Sequence, residues 1–313
     1  MKCLLFAYSE IGTVALETLL AMNEDVVGVV THEDHPTEVR WWRSVSELAC
    51  ARGIPVIMPH DPNAPDSVAW GQALHPDIIF SFYYRQMLRT PWLTLAPLGA
   101  FNLHGSLLPK FRGRAPVNWA IIQGATETGL TLHEMVERPD AGKIVDQAAI
   151  PILEQDTARD VFEKLLPLVP MILQRTIPLL ANARAARRPQ DESTAKYFGA
   201  RTPADGELDW RWPTRQVHNL VRGLTRPYPG AFTFLDGRKF FVWKGRILSE
   251  GQRQEAPGEI HAAVENGVPV SCADGLYLIE AAQEDGAIEK APHQQFLKGQ
   301  HFAVREATHR VRP

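Results

Sequence analysis

The chain has 313 residues, of which 45% are hydrophobic and 22% are charged, and its formal net charge is -3. This length corresponds to about two ordinary domains, and the composition is typical of a soluble globular protein. The charge gives no broad basic surface for nucleic acid, and no apolar run approaches the ~20 residues of a membrane span. We therefore expect a cytoplasmic protein that acts on a small molecule, with neither nucleic acid nor a membrane as its partner.

The first half of the chain alternates short apolar segments with amphipathic ones. The segment 77–82 (DIIFSF) is a continuous apolar run, typical of a strand that is buried on both faces. Alternation of this kind predicts an α/β fold with a doubly wound, mostly parallel, Rossmann-like sheet. The predicted helices are 11–21, 44–52 and 66–74, and the predicted strands are 2–8, 25–30, 55–58, 77–82 and 99–102.

The second half predicts two further regions of structure separated by a polar stretch. From 182 to 205 the apolar pattern fades, which indicates a linker between domains or a strap across a surface. The short strands beyond it are typical of a small β-barrel or an open sheet. We expect an N-terminal domain at 1–187, a linker at 188–204 and a C-terminal β-barrel-like domain at 205–313. The predicted helices are 116–123, one within 158–180, and 214–224, and the predicted strands are 129–136, 143–150, 231–234, 239–243, 258–264 and 276–279.

Disulfides and metal sites are not expected. Cys3, Cys50 and Cys272 are odd in number and widely scattered, which argues against both a disulfide framework and a zinc site. Cys3 and Cys50 lie in apolar runs, so we predict that they are buried thiols. His32 and His35 have the spacing of half a metal site, but no second cluster of ligands accompanies them. We predict a solvated loop there and no bound metal.

Polar residues concentrate in one stretch of the otherwise apolar first half, at 102–116. Ligands of open parallel sheets bind outside the carboxyl ends of the strands. Asn102 and His104 are predicted at such an end, two residues apart, so in an extended chain both side chains project to the same side. An amide and an imidazole directed at one point can stabilise an oxyanion and transfer a proton. The alternative is a structural pair that ties down a loop.

Asp140 lies in a second loop, between two predicted strands. A carboxylate there could orient His104 and favour its protonated form; the alternative is an ordinary turn aspartate. Ser106 lacks the G-x-S-x-G pattern of a nucleophilic serine, and the chain contains neither G-x-G-x-x-G nor a P-loop. Arg112 and Arg114 either bind an anion or are solvated charges. The aromatic residues of 80–85 either wall a pocket for a flat ring or are buried strand residues.

Together these residues resemble the folate-dependent formyltransferase family. The resemblance rests on Asn102, His104, the run 106–109 (SLLP), Arg112–Gly113 and the distant 140–142 (DAG), all in order and at workable spacing. It extends from the first strand through nearly the whole chain, and it is closest to the subgroup that formylates UDP-4-amino-4-deoxy-L-arabinose. The segments similar to that subgroup are 6–8 (FAY), 31–32, 80–85 (FSFYYR), 101–116, 127–142 and 218–232.

The resemblance implies a role for each candidate residue. It implies that Asn102 stabilises the tetrahedral transition state, that His104 donates and accepts the proton, and that Asp140 raises the pKa of His104. Residues 1–187 would form the folate-binding catalytic domain, with 10-formyltetrahydrofolate as donor and no metal. The acceptor would be the 4-amino group of the UDP-sugar, in lipid A modification and polymyxin resistance. The residues implied to bind the folate are Gln86, Met87, Leu88, Arg114, Val136, Glu137, Arg138, Pro139 and Asp140.

The chain departs from this subgroup in three ways. Phe111 stands where a tyrosine is usual, Gln86 and Met87 replace a different polar–apolar pair, and the dehydrogenase–decarboxylase half of the bifunctional members is absent. We expect a free-standing formyltransferase, as a homo-oligomer or beside a separate decarboxylase partner. Methionyl-tRNA, which requires a basic surface, and other nucleotide-linked amino sugars stay open as acceptors. The alternatives from other classes are a non-catalytic folate- or nucleotide-binding regulator and a hydrolase that releases formate.

Overall fold

The computed structural model describes residues 1–34, 40–252, 256–264 and 267–304. The chain forms two compact units and enters the second of them three times. The first unit comprises Met1–Pro116, Thr128–Ile150 and Glu163–Phe198, and the second comprises Val117–Glu127, Pro151–Phe162 and Gly199–Pro313.

A seven-stranded sheet forms the centre of the first unit, and a separate two-stranded ribbon lies beside it. The sheet order is β3-β2-β1-β4-β5-β7-β8, and the ribbon is β6-β9, where the strands are β1 Lys2–Ala7, β2 Asp25–Val30, β3 Val56–Ile57, β4 Ile78–Phe82, β5 Ala100–His104, β6 Arg112–Gly113, β7 Glu127–Glu134, β8 Ile144–Pro151 and β9 Tyr197–Phe198.

The first five strands of this sheet run parallel to one another, and β7 pairs with β5 in the antiparallel direction. Strand β1 lies between β2 and β4, so the order of the strands reverses at β1, which is the mark of a doubly wound sheet. All five residues of β4 are buried, as the continuous apolar run requires. The predicted fold class is therefore confirmed, and the antiparallel β7 is the exception that makes the sheet mixed.

Helices follow the strands at the predicted places. Ser44 caps α2 (Val45–Ala51) by accepting a hydrogen bond from the backbone N–H of Glu47. Pro65 occupies the first turn of α3 (Pro65–Ala73). The prediction of a buried Cys50 is wrong: Val45 and Ala49 are the buried residues of helix α2, and Cys50, one position beyond Ala49, is exposed. The helices are α1 Ser9–Ala21, α2 Val45–Ala51, α3 Pro65–Ala73, α4 Thr90–Leu93, α5 Pro116–Ile122, α6 Ala158–Leu165, α7 Leu168–Ala181 and α8 Thr214–Leu224.

By length and composition alone, the segment Ala158–Ala181 could cross a membrane. The sequence pattern did not predict a segment of this kind. In the fold it consists of α6 and α7, separated at Leu166 and Pro167. Most of its apolar side chains are packed inside the protein, as in an ordinary core helix, while Met171 and Leu179 are exposed. This composition is therefore weak evidence for a membrane span. The buried residues are Ala158, Val161, Phe162, Leu165, Val169, Ile172, Leu173, Thr176, Ile177 and Leu180.

The second unit contains α8 and a four-stranded antiparallel sheet, β10-β11-β13-β12. Asp236 and Gly237 join the first two strands, and both have positive φ angles, 51° and 77°, as a two-residue hairpin turn requires. The predicted strand at 258–264 is wrong, because within it only isolated bridges form. The strands are β10 Ala231–Leu235, β11 Arg238–Glu250, β12 Val268–Ser271 and β13 Gly275–Glu284.

Candidate active site

Strand β5 carries two of the three predicted catalytic residues. It continues to His104 rather than ending at Asn102, so the two side chains, two residues apart in a strand, project to the same face. The pairing with β7 sets Asn102 opposite His133 and His104 opposite Thr131. The side chains of the first pair meet: Nδ2 of Asn102 lies 3.1 Å from Nε2 of His133.

Asp140 reaches this pair from the loop between β7 and β8. Its Oδ1 lies 3.5 Å from Nδ1 of His104 and 3.4 Å from Nε2 of His133. Its Oδ2 accepts a hydrogen bond of 2.8 Å from the backbone N–H of Gly113. The residue has a φ angle of 53°, a conformation that aspartate tolerates better than most residues. The structure therefore brings Asn102, His104 and Asp140 together, with both histidines facing one carboxylate.

The charges of these groups are coupled. Burial disfavours the ionised form of Asp140, but the neighbouring His104, the contact with His133 and the N–H of Gly113 outweigh it and hold the pKa of the carboxyl well below its usual range. Burial lowers the pKa of His104; Asp140 and the Phe111 carbonyl act in the opposite direction without restoring the usual value. Asp140 thus raises the pKa of His104 relative to burial alone, while the net direction is downward.

The second ring nitrogen of His104 is held by the backbone. Nε2 lies 2.8 Å from the carbonyl oxygen of Phe111, and because a carbonyl only accepts, Nε2 carries a proton in this contact. The neutral ring then has its free lone pair on Nδ1, the atom that faces Asp140. A proton taken up at Nδ1 is stabilised directly by that carboxylate, so the ring is arranged to gain and lose a proton.

His133 is a member of the cluster that motif reasoning missed. It is 1% exposed, and its Nδ1 donates a hydrogen bond of 2.7 Å to the carbonyl of Glu134. With its proton on Nδ1, the neutral ring can accept from Asn102 through Nε2. The sequence signal was a histidine within the predicted strand 129–136, which by itself does not distinguish a site histidine from a core one.

The residues implied to bind folate form two adjacent segments. Segment 86–88 follows β4 and segment 136–140 follows β7, and a hydrogen bond of 2.6 Å from Oγ1 of Thr90 to Oε1 of Glu137 links the regions. Leu88 is buried, whereas Met87 and Val136 are 51% and 41% exposed. Two large apolar side chains therefore face solvent at this end of the sheet, next to the loop of Asp140.

The two arginines of the 112–114 stretch have different surroundings. Arg114 is exposed, and its Nη2 donates to the carbonyl of Arg85 at 3.2 Å. Arg112 is neither a solvated charge nor free for an anionic ligand: it is 0% exposed and pairs with Glu192 at 2.7 Å. Glu192 is 80 residues away in the chain, so the sequence alone gave no reason to pair the two.

Other candidates have structural roles. Ser106 is fully buried and donates to the carbonyl of Lys110 at 2.7 Å, so its hydroxyl is already used. His32 is half-buried rather than solvated: its ring stacks on Tyr84 with centroids 4.0 Å apart, and Nε2 accepts the N–H of Arg85. Its proposed companion His35 lies outside the described residues.

Solved structures with a similar fold include two enzymes of sugar chemistry. WlaRD, a sugar 3N-formyl transferase crystallised in the presence of dTDP and 5-N-formyl-THF, matches with a TM-score of 0.69 and 20% identity over 92% of this chain and 99% of its own. An N-formyltransferase from Helicobacter canadensis, in complex with folinic acid and dTDP-3-aminofucose, has a TM-score of 0.69 and 21% identity, covering 90% and 98%. Methionyl-tRNA formyltransferase from Clostridium thermocellum has a TM-score of 0.55 and 16% identity, covering 79% and 92%. At these identities the likeness shows a shared fold.

Two protein-family models match the sequence directly. Residues 11–177 match the formyl transferase family model, and residues 201–301 match the model for the formyl transferase C-terminal domain. The first match covers the whole cluster of Asn102, His104, His133 and Asp140. The chain therefore belongs to the formyl transferase family.

Proposed function

We propose that this protein transfers the formyl group of 10-formyltetrahydrofolate to the 4-amino group of UDP-4-amino-4-deoxy-L-arabinose. The observation that carries the proposal is the contact between Asp140 and His104 beside Asn102, in a chain of the formyl transferase family. A non-catalytic binding protein has no need for a buried carboxylate, two imidazoles and an amide at one strand end.

The reaction is a direct transfer between two nitrogens. The acceptor amine forms a bond to the formyl carbon, the bond from that carbon to the folate nitrogen breaks, and one proton passes from the amine to the folate nitrogen. Asn102 donates its amide N–H to the oxyanion that develops on the formyl oxygen. His104 receives and returns the proton, with Asp140 stabilising the charged ring. For this, the ring proton shifts to Nδ1 beside Asp140, and Nε2 leaves the Phe111 carbonyl. The freed lone pair of Nε2 then takes the proton of the amine and passes it to the folate nitrogen.

The donor site is assigned to the two segments that meet beside Asp140. Exposed apolar surface at Met87 and Val136 suits the flat ring of a folate, and Arg114 lies close to the same loops through its bond to Arg85. WlaRD was crystallised in the presence of 5-N-formyl-THF and the Helicobacter canadensis enzyme with folinic acid, which supports a reduced folate as donor. The chemistry assigned to these residues requires no metal.

The acceptor is assigned in two steps. The dTDP and dTDP-3-aminofucose of the two similar sugar enzymes support a nucleotide-linked amino sugar. The arabinose sugar itself, and with it a role in lipid A modification, rests on the segments shared with that subgroup, such as 80–85 and 127–142. We further propose that the protein acts in the cytoplasm, as a homo-oligomer or with a separate decarboxylase.

The decisive experiment compares acceptors. The purified chain is incubated with 10-formyltetrahydrofolate and, in turn, UDP-4-amino-4-deoxy-L-arabinose, dTDP-3-aminofucose, methionyl-tRNA and no acceptor, with release of tetrahydrofolate followed optically. We expect turnover with the arabinose sugar, a product heavier by one formyl group, and loss of about 100- to 1,000-fold in His104→Ala.

Each other outcome contradicts part of the proposal. Turnover with only another sugar or with tRNA would keep formyl transfer and overturn the substrate. Formate release that needs no acceptor would indicate a hydrolase. Folate binding without turnover for any acceptor would indicate a binding protein.

A further inference from the structure

The segment 188–198, for which the fading apolar pattern left open a linker or a strap across a surface, belongs to the first unit. We call these residues the strap. At one end, Arg188 exchanges two backbone hydrogen bonds of 2.8 Å with Ile144. At the other, β9 pairs in parallel with β6, and the carbonyls of Lys196 and Phe198 accept backbone hydrogen bonds of 3.0 Å from Arg112 and Arg114. The strap is therefore attached both to the start of β8 and to the stretch that contacts His104 and Asp140.

Between these ends, the strap side chains surround the buried guanidinium of Arg112. Oε1 of Gln190 accepts from Nε and Nη2 at 3.1 and 2.8 Å. Glu192 accepts from Nη1 and Nη2 at 3.1 and 2.7 Å, a bidentate carboxylate–guanidinium pair. The hydroxyl of Tyr197 accepts from Nη1 at 3.2 Å. Arg112 therefore cannot move without breaking several bonds to the strap.

The fixed position of Arg112 matters because its two chain neighbours contact the site. The carbonyl of Phe111 holds Nε2 of His104, and the N–H of Gly113 holds Oδ2 of Asp140. The ring of Phe111 also stacks on Phe198 of the strap, with centroids 5.3 Å apart. One short stretch of backbone thus sets contacts to both members of the His104–Asp140 pair.

The same strap also holds the loop of Asp140 itself. Nε2 of Gln190 donates two hydrogen bonds of 2.7 Å, to the backbone carbonyls of Asp140 and Gly142. The hydroxyl of Tyr197 donates to the carbonyl of Pro139 at 3.0 Å. Gln190 therefore uses both ends of its amide: the oxygen binds Arg112, and the nitrogen binds the loop that carries the carboxylate.

We propose that Gln190 is a positioning residue, which sets the distance between the Asp140 carboxylate and His104 by joining Arg112 to the loop of Asp140. The inference uses the proposed function for the roles of His104 and Asp140, but the geometry it concerns can be measured without substrate. The charged and titratable groups that face His104 are Asp140 from the β7–β8 loop, His133 from β7 and Arg112 from β6.

The test replaces Gln190 by Met, which keeps the length of the side chain and adds no charge. Gln295→Met is the matched control, because its Nε2 also donates to two backbone carbonyls, those of Ala282 and Lys290, in the second unit. The midpoint of the His104 titration is followed by NMR of labelled histidine, beside thermal unfolding and the pH dependence of kcat.

We expect the His104 midpoint to fall in Gln190→Met, since the carboxylate that raises it is less well placed. We expect kcat to fall about 10- to 100-fold, because a displacement near 1 Å at a reacting group lowers the rate by about that factor. We expect the His104 midpoint and kcat to be unchanged in Gln295→Met. Equal losses of thermal stability in the two variants, with an unchanged His104 midpoint in both, would overturn the proposal by showing a purely structural role.

A milder variant covers the case in which Gln190→Met does not fold. Tyr197→Phe removes the bond to the Pro139 carbonyl and keeps the ring that lies under Arg112 and Arg138. We expect a smaller shift of the His104 midpoint in the same direction. A shift in the Gln190 or Tyr197 variant without turnover for any acceptor would contradict the proposed function and leave the positioning role standing.

Discussion

Nδ2 of Asn102 lies 3.1 Å from Nε2 of His133, on the antiparallel neighbour of its own strand. The same Nε2 lies 3.4 Å from Oδ1 of Asp140. His133 therefore connects the residue assigned to the oxyanion with the residue that supports the proton carrier. With its proton on Nδ1, the ring accepts from Asn102 through Nε2 and holds that nitrogen beside the Asp140 carboxylate.

Replacing His133 by Phe tests this connection. The ring volume is kept in a site that is 1% exposed, while both polar contacts are lost. We expect kcat to fall about 10- to 100-fold, the usual cost of removing a partner that orients a functional group. His261→Phe in the second unit, where the ring contacts Ser271, is the control. Equal activities of the two variants would exclude a role for His133.

Replacing Asp140 by Asn removes the charge beside His104 with little change of shape. Because a negative charge favours the protonated ring, its removal lowers the pKa of His104 further. We expect the His104 titration, followed by NMR, to move to lower pH and kcat to fall by about 100-fold or more. An unchanged titration would mean that the 3.5 Å approach has no electrostatic effect.

Replacing Gly113 by Ala tests whether the pairing of the strap with β6 is essential. Its φ angle is 99°, and a Cβ there would overlap the carbonyl oxygen of Phe198. Gly53 has a similar φ angle of 68° but open space around it. We expect Gly53→Ala to cost about 1 kcal/mol of unfolding free energy from backbone strain alone. Gly113→Ala should cost clearly more and should also lower activity, as measured by urea unfolding and turnover; equal costs would argue against a tight contact.

The lowered pKa of His32 should make the free energy of unfolding depend on pH. Burial, and then the charge of Arg85, lower its pKa in the folded protein from 6.5 to about 4. As the pH falls, His32 therefore binds a proton in the unfolded chain before it does so in the folded protein. The contribution of His32 to the free energy of unfolding declines between about pH 6.5 and 4 and is constant above that range. Partial exposure reduces the effect to about 1 kcal/mol.

The measurement is the urea midpoint at pH 7 and at pH 5 for the wild type and for His32→Gln, which keeps an acceptor for the N–H of Arg85. We expect acidification to destabilise the wild type more than the variant. Equal losses in the two proteins would show that His32 titrates normally in the fold.

The polypeptide sequence by itself determined the α/β layout. Strands such as β4 are buried on both faces, so they must be continuous apolar runs, and such runs are visible without a structure. It also placed Asn102 and His104 near a strand end and Asp140 in a loop, because strand periodicity and turn residues are local properties.

Only the tertiary structure decided what surrounds those three residues. His133 meets Asn102 through the register of β5 and β7, and Arg112 meets Gln190 across 78 residues. Contacts of this kind depend on which segments pair and in what direction, and no local pattern encodes that. A stretch poor in apolar residues therefore resembles a linker in the sequence, although hydrogen bonds from Arg112 to Gln190 and Glu192 attach it beside the site.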